Sequence, residues 1–108
     1  MVPEGTRPQL EPFVFDFARR LREEAGAQKV ILFGSRARGD WIKESDYDFV
    51  VVSPRFEGIP FPFRPAEIRP LWKGSAGVEL LCYTPEEFER KSREISIVAE
   101  AVKEGVEL

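Results

Sequence analysis

Two aspartates one residue apart, Asp46 and Asp48, open the apolar run "DYDFVVV" at 46–52. Residues two apart on a strand point to the same face, so both carboxylates project together, ~6.5–7 Å apart along the chain. Tyr47, Phe49 and Val51 then face the core. Val50 and Val52 continue the acidic face as apolar residues, which sets the two acids at the border between core and solvent. One account is a solvent-facing strand side that happens to carry acids. Against it, Asp suits strand positions poorly. Burying one unpaired carboxylate also costs several kcal/mol, against a total stability of ~5–15 kcal/mol. A divalent cation is the simplest compensation, and paired Asp oxygens suit Mg²⁺, which takes few protein ligands plus substrate phosphates.

A third acid, Glu79, lies inside the apolar run "VELLCY" at 78–83. If that run pairs beside the first, Glu79 comes across from Asp48 and completes a three-carboxylate cluster. Such a cluster can hold two ions ~3.5–4 Å apart, an arrangement that activates an attacking hydroxyl and steadies a leaving phosphate. The competing account is an outward-facing residue on an edge strand. Upstream, Gly34-Ser35 ends the run "KVILF" and precedes a short helical turn. Backbone amides and a Ser hydroxyl at such a place can grip a phosphate, with glycine allowing close approach. A lone Gly-Ser is often only a turn. Arg36 and Arg38 can pair with phosphate oxygens, or be ordinary surface arginines.

The remaining composition narrows the chemistry. There is no histidine among the 108 residues and a single cysteine, Cys82. Conventional zinc sites, Ser-His and Cys-His pairs and intramolecular disulfides are excluded, and Cys82 reads as a core thiol. Catalysis must then rest on carboxylates, a hydroxyl, backbone amides and bound metal. With a net charge of −3, direct nucleic-acid binding is not expected. No apolar segment has the length of a membrane span and the N-terminus has no signal core, so the expected location is the cytoplasm and no membrane partner is expected. The charged set is dominated by Glu and Arg with no Asn. That usage fits a thermophile or, equally, a GC-rich genome.

The elements that must position these residues follow from periodicity. Residues 1–9, with Pro3, Gly5 and Pro8, read as an extended lead-in. From Leu10 to Ala25, Leu10, Val14, Phe17 and Leu21 recur at helical spacing, Phe15 lies off the stripe, and Gly26 is a natural stop. Strands are predicted at 29–33, 46–52 and 78–83. A short helical turn is predicted at about 36–40. The proline-rich stretch 53–65 reads as a loop. The segment 66–72 reads as a short helix broken at Pro70. Thr84-Pro85-Glu86-Glu87 is a helix start with a capping box. A final helix is predicted over roughly Ser92 to Glu104, stopped by Gly105, with apolar residues on more than one face. The expected fold is a single α+β domain over 1–108, a small mixed or antiparallel sheet of three to four strands with helices packed on it.

Gly34-Ser35-Arg36-Ala37-Arg38-Gly39, then Ser45-Asp46-Tyr47-Asp48, then an apolar strand with a later strand acid, together resemble the signature of the DNA polymerase β-like nucleotidyltransferase superfamily. The chain is most similar to its smallest members, the minimal nucleotidyltransferases, and the likeness runs from the first helix to the last. The resemblance implies a palm-like core in which Asp46 and Asp48 are metal ligands and Glu79 is the third carboxylate, both ligand and helper of the acceptor hydroxyl. It implies that Gly34 and Ser35 hold the terminal phosphates, with Arg36, Arg38 and Ser45 as further nucleotide-binding residues. The implied reaction is Mg²⁺-dependent transfer of a nucleoside monophosphate, AMP from ATP, to a hydroxyl, with two ions when nucleotide is bound. Glu at 79 departs from the Asp common in the family, and one methylene matters at catalytic distances. Members of this group are often paired with HEPN-domain proteins as antitoxins, some adenylylating that partner. A hetero-oligomer with a HEPN-type toxin is therefore expected, and the 108 residues leave no room for a separate acceptor-binding domain. The last helix and the aromatic loop 56–63 offer apolar surface for such a partner, or for self-association. The alternative is an inactive antitoxin subunit that neutralises by contact alone. A modifier of small aminoglycoside-like molecules is a third reading.

Overall fold

A computed structural model of the chain describes residues 10–42 and 44–108. The expected lead-in over residues 1–9 lies outside the described residues. The elements run α1 (Pro12–Ala25), β1 (Lys29–Phe33), α2 (Ser35–Arg38), β2 (Tyr47–Val52), α3 (Arg64–Ile68), β3 (Val78–Tyr83), α4 (Pro85–Ser92), α5 (Ile97–Glu104) and β4 (Val106–Glu107).

The sheet order is β3-β2-β1-β4. β1 pairs antiparallel with β2 and with β4, whereas β2 and β3 run parallel through the crossover that contains α3. The result is the expected α+β fold with a mixed four-stranded sheet. Strand alternation splits its side chains between two cores. On one face Val30, Leu32, Tyr47, Phe49, Val51, Val78, Leu80 and Cys82 pack with Val14, Phe17, Ala18 and Leu21 of α1, with Phe56, and with Ile68 of α3. On the other, Ile31, Val50, Val52 and Tyr83 pack with Val98 and Ala101 of α5 and with Phe88 of α4. The molecule is thus three layers, helix–sheet–helix. Tyr47, Phe49 and Val51 face the larger core, as their alternation with the acids requires.

Local signals account for most of the boundaries. Pro12 occupies the first turn of α1, so the helix begins two residues after Leu10, and Gly26 ends it at φ 66°. Phe15 is exposed, as its place off the stripe indicates. β1 and β3 have the expected ends, and β2 starts one residue late, leaving Asp46 just outside the ladder. The stretch 53–65 contains no strand, but it is not wholly irregular: it folds into 3-10 turns at Pro54–Phe56 and Phe61–Phe63, and α3 starts at Arg64. Pro70 sits in a further 3-10 turn, Arg69–Leu71, which ends that helix. Thr84 and Glu87 form the capping box of α4.

The predicted last helix is shorter than expected. It begins at Ile97 rather than near Ser92, because Ser96 turns out of helical geometry and caps it through Ala99 N. Residues 93–96 separate it from α4. One polar group is bound deep in the structure. The buried Arg64 donates to Ile59 O at 2.7 Å, to Cys82 O at 3.1 Å and to both carboxylate oxygens of Glu87 at 2.5 and 3.2 Å. It ties α3, β3 and the start of α4 together.

Candidate active site

β1 ends, and β2 and β3 begin, at the same edge of the sheet. Asp48, second residue of β2, stands opposite Glu79 in the parallel pairing and opposite Phe33 in the antiparallel one. Paired residues of neighbouring strands share a face, so Asp48 and Glu79 project together, on the face covered further along by α5. Asp46 precedes the strand, and the Tyr47 amide donates to Gly77 O at 2.9 Å, which carries the parallel pairing back to the start of both strands.

Glycine makes room for each aspartate. A Cβ on Gly34 would come within 2.4 Å of Asp48 Oδ2, and one on Gly77 within 2.4 Å of Asp46 Oδ1. Gly34 also has φ 75° and ψ −160°, a region that is essentially closed to other residues. The turn after β1 therefore folds directly against the carboxylate of β2. Ser35 follows as the first residue of α2, where the leading amides of a helical turn have no partner within it. The structure brings Gly34, Ser35, Asp46, Asp48 and Glu79 to one edge.

At that edge Asp48 is half-buried, whereas Asp46 and Glu79, the latter on edge strand β3, are exposed. Burial raises the Asp48 carboxyl above its ordinary pKa, and repulsion from Glu79 and then Asp46 raises it further, with Arg38 opposing. Among the described residues no three acids stand close enough to form a ready-made metal cage. Mg²⁺ is commonly held by one or two carboxylates with the rest of its shell from water and substrate phosphates. The donor set fits that use, with Asp48 and Asp46 as the carboxylates and Glu79 beside them.

The two arginines separate. Arg38 is exposed, pairs with Asp40 at 3.3 Å and acts electrostatically on Asp48. Arg36 is buried; its Nε and Nη2 donate to Ser45 O at 3.2 and 3.0 Å. Its guanidinium lies 4.1 Å from the Trp41 ring centre and 4.4 Å from that of Tyr47. It is not the surface arginine that was one reading of it. It holds the loop before β2 in place and so presents Asp46. Ser45 Oγ accepts the Ile42 amide at 3.0 Å, fastening the same loop.

Three features of the site were not singled out in the sequence. Gly77 read only as part of a turn, yet Gly77-x-Glu79 runs in parallel register with Asp46-x-Asp48, a spacing visible once the pairing is known. Glu100 and Glu104 of α5 line, with Phe33, Gly34 and Arg38, a cavity of about 200 Å³ beside the Gly34 turn. Their i, i+4 spacing was the only signal. A second cavity, of about 410 Å³, opens on the other side of the same edge between Trp41, Arg36, Tyr47, Phe13, Glu11 and Ser75.

Comparison with known families agrees with this geometry. The sequence profile of the nucleotidyltransferase domain family matches residues 16–104, which is most of the chain and includes every candidate site residue. The chain belongs to that family. No curated protein matches significantly. Among solved structures, a Sulfolobus solfataricus protein provisionally described as a nucleotidyltransferase superposes with a TM-score of 0.52 at 23% identity, over 92% of this chain and 87% of that one. BolA1 from Arabidopsis thaliana superposes with a TM-score of 0.57 at 18% identity, over 72% of this chain and 98% of that one. At these identities both likenesses concern the fold alone. In this nucleotidyltransferase domain the motif residues and the sheet edge coincide. Among the described residues no helix is long and apolar enough to cross a membrane.

Proposed function

We propose that this nucleotidyltransferase domain transfers AMP from Mg²⁺-bound ATP to a hydroxyl on a HEPN-type toxin partner, and so acts as its antitoxin. The observation that carries the reading is Asp48 set opposite Glu79 in the parallel register, with Asp46 beside it and the Gly34 turn packed on Asp48. Asp48 is half-buried there at an electrostatic cost that a structural role would not require, with Asp46 and Glu79 exposed beside it.

The residues divide the work as follows. Gly34 and Ser35 receive the β- and γ-phosphates through backbone amides and the Ser hydroxyl. Arg38 lies within electrostatic reach of Asp48 and adds positive charge beside those phosphates. Asp46 and Asp48 would hold Mg²⁺, which when bound offsets phosphate charge and polarises the phosphoryl oxygens. The acceptor oxygen attacks the α-phosphorus, a new phosphoester bond forms, and the bond to the bridging oxygen breaks so that pyrophosphate leaves. Glu79 takes the hydroxyl proton, a role that suits a carboxylate facing solvent on the same face. Arg36 acts at a distance by fixing the loop that carries Asp46.

A partner is favoured by exposed apolar side chains at two places. Ile95 and Ile97 are exposed before and at the start of α5, as are Phe61 and Phe63 on the turn before α3. The same surface supports the second reading, an antitoxin that works by contact alone. Comparing neutralisation of the partner by wild type and by an Asp46→Asn/Asp48→Asn variant separates them. The enzyme reading expects the variant to bind the partner and fail to neutralise it. Equal neutralisation by both proteins leaves only the binding reading standing.

A further inference from the structure

A cavity of about 280 Å³ lies between the 3-10 turn at Phe61–Phe63, the end of β3 and α4. Phe61, Tyr83, Glu87, Arg90 and Lys91 line it. Its aromatic wall is held in place: the Phe61 ring packs on Tyr83 with centroids 5.3 Å apart, and the buried Arg64 guanidinium stands 5.8 Å from the Phe61 ring centre. Phe61 is nevertheless 43% exposed, and Phe63 in the same turn 66%. Held, exposed aromatic rings of this kind serve as anchors for a partner.

The charge facing the cavity is positive. Glu87 is neutralised by Arg64, which donates to both its carboxylate oxygens. Arg90 and Lys91 have no such counterpart. Among the described residues neither makes a salt bridge, whereas Arg93 just beyond them pairs with Glu89. In a chain of net charge −3, these cations beside an apolar platform complement an acidic ligand with an apolar anchor. Phe63 carries the apolar surface past the residues that line the cavity, which favours a polypeptide over a small molecule.

The cavity also stands in a fixed relation to the acids. Glu79, Leu81 and Tyr83 alternate along β3 and so share the face toward α5. Tyr83 lies ~13 Å along the strand from Glu79.

We propose that this cavity is the docking site for an acidic segment of the protein partner. Phe61 and Tyr83 seat one aromatic or leucine side chain, and Arg90 and Lys91 pair with carboxylates on either side of it. A segment held there brings the rest of the partner to the face that carries Glu79 and raises the local concentration of the acceptor hydroxyl. The assignment rests on the reading that the chain modifies a protein, and the chemistry of the cavity is tested apart from that reading.

The first probe is a synthetic peptide with a single phenylalanine between runs of glutamate, titrated into isotope-labelled protein and followed by amide NMR shifts. Saturable shifts are expected at 61–63, 83 and 87–91, with affinity falling as salt is added. Arg90→Gln/Lys91→Gln is expected to weaken binding on the order of tenfold, and so is replacing the phenylalanine of the peptide by alanine. Unmoved amides around Gly34 and Asp48 show that the variant is folded, and the altered peptide gives the same comparison on wild type. No shift at the cavity, or equal binding of both peptides, overturns the site. Shifts of the same amides on concentrating the protein alone would make a second copy the occupant, through its exposed Glu94 and Ile95, and overturn the assignment. Phenyl phosphate binding there as tightly as the peptide would overturn it in favour of a small anion. The second probe is the proposed HEPN-type partner in a transfer assay, for which Arg90→Gln/Lys91→Gln is expected to raise KM on the order of tenfold with kcat unchanged. Unchanged KM overturns the docking role. Peptide binding at the cavity without transfer to the partner keeps the site and removes the transfer reading.

Discussion

Gly34 and Gly77 show how residues without side chains set the site. At Gly34 both the backbone and the adjoining Asp48 carboxylate exclude a Cβ. At Gly77 the backbone does not have a positive φ, and the obstacle is the Asp46 carboxylate. Gly77→Ala is therefore expected to move that carboxylate and little else. Transfer activity should fall by roughly 10–100-fold, as for small misplacements of a reacting group. Stability should stay within about 0.5 kcal/mol, as for ordinary surface changes. Steady-state rates and a denaturant melt check both. Asp48 gives the complementary prediction. Its carboxyl is held above its usual pKa by burial and by Glu79 and Asp46, so ionised Asp48 destabilises the metal-free fold. Asp48→Asn is expected to raise stability in chelator by about 0.5–2 kcal/mol while abolishing transfer, the usual trade at an active site. Thermal unfolding in EDTA that shows a loss instead would contradict the electrostatic account. The acids were legible as a pattern because Asp is out of place in an apolar strand. Arg36 was not, since its burial depends on Trp41 and Tyr47 meeting around it.

At the scale of elements, the Arg64–Glu87 pair joins α3 to α4 and also completes the capping box. Hydrogen bonding to Arg64 lowers the Glu87 pKa from 4.5 to about 2. A depressed carboxylate contributes stability that is present above its unfolded pKa and lost as pH falls through the folded value. Stability should thus decline between about pH 4.5 and pH 2, and Glu87→Gln should flatten that decline. The same variant should cost roughly 2 kcal/mol at neutral pH by weakening charged hydrogen bonds. Melts across the pH range measure both. Element boundaries were readable where one signal dominated. β1 and β3 are uninterrupted apolar runs, and Thr84 starts α4 by its own chemistry. The start of α5 was misplaced because the apolar pattern continues through Ile95, whereas Ser96 interrupts the backbone. β4 has two residues and exists only through its pairing with β1, so no local pattern announces it.

At the scale of the molecule, three layers bury one sheet and leave one of its edges for chemistry. The parallel pairing of β2 with β3 is what brings Glu79 opposite Asp48. It follows from the crossover through α3 and could be stated from the sequence only as a condition. The apolar surface was anticipated at both places, although Phe56 of the aromatic loop belongs to the core, and Phe61, Phe63, Ile95 and Ile97 remain outside. Replacing Ile95 and Ile97 together with Ser should leave stability within about 0.5 kcal/mol. It should also weaken capture of the proposed HEPN-type partner, read by titration calorimetry, and unchanged affinity would place the interface elsewhere.

The most direct measurement of the proposed activity uses ATP labelled at either the α- or the γ-phosphate, with Mg²⁺ and the HEPN-type partner. The account predicts label on the partner from α-labelled ATP only, with pyrophosphate released in equal amount. Neither product should form with Asp46→Asn/Asp48→Asn. Label from the γ position, or no label while both proteins neutralise the partner equally, would contradict it.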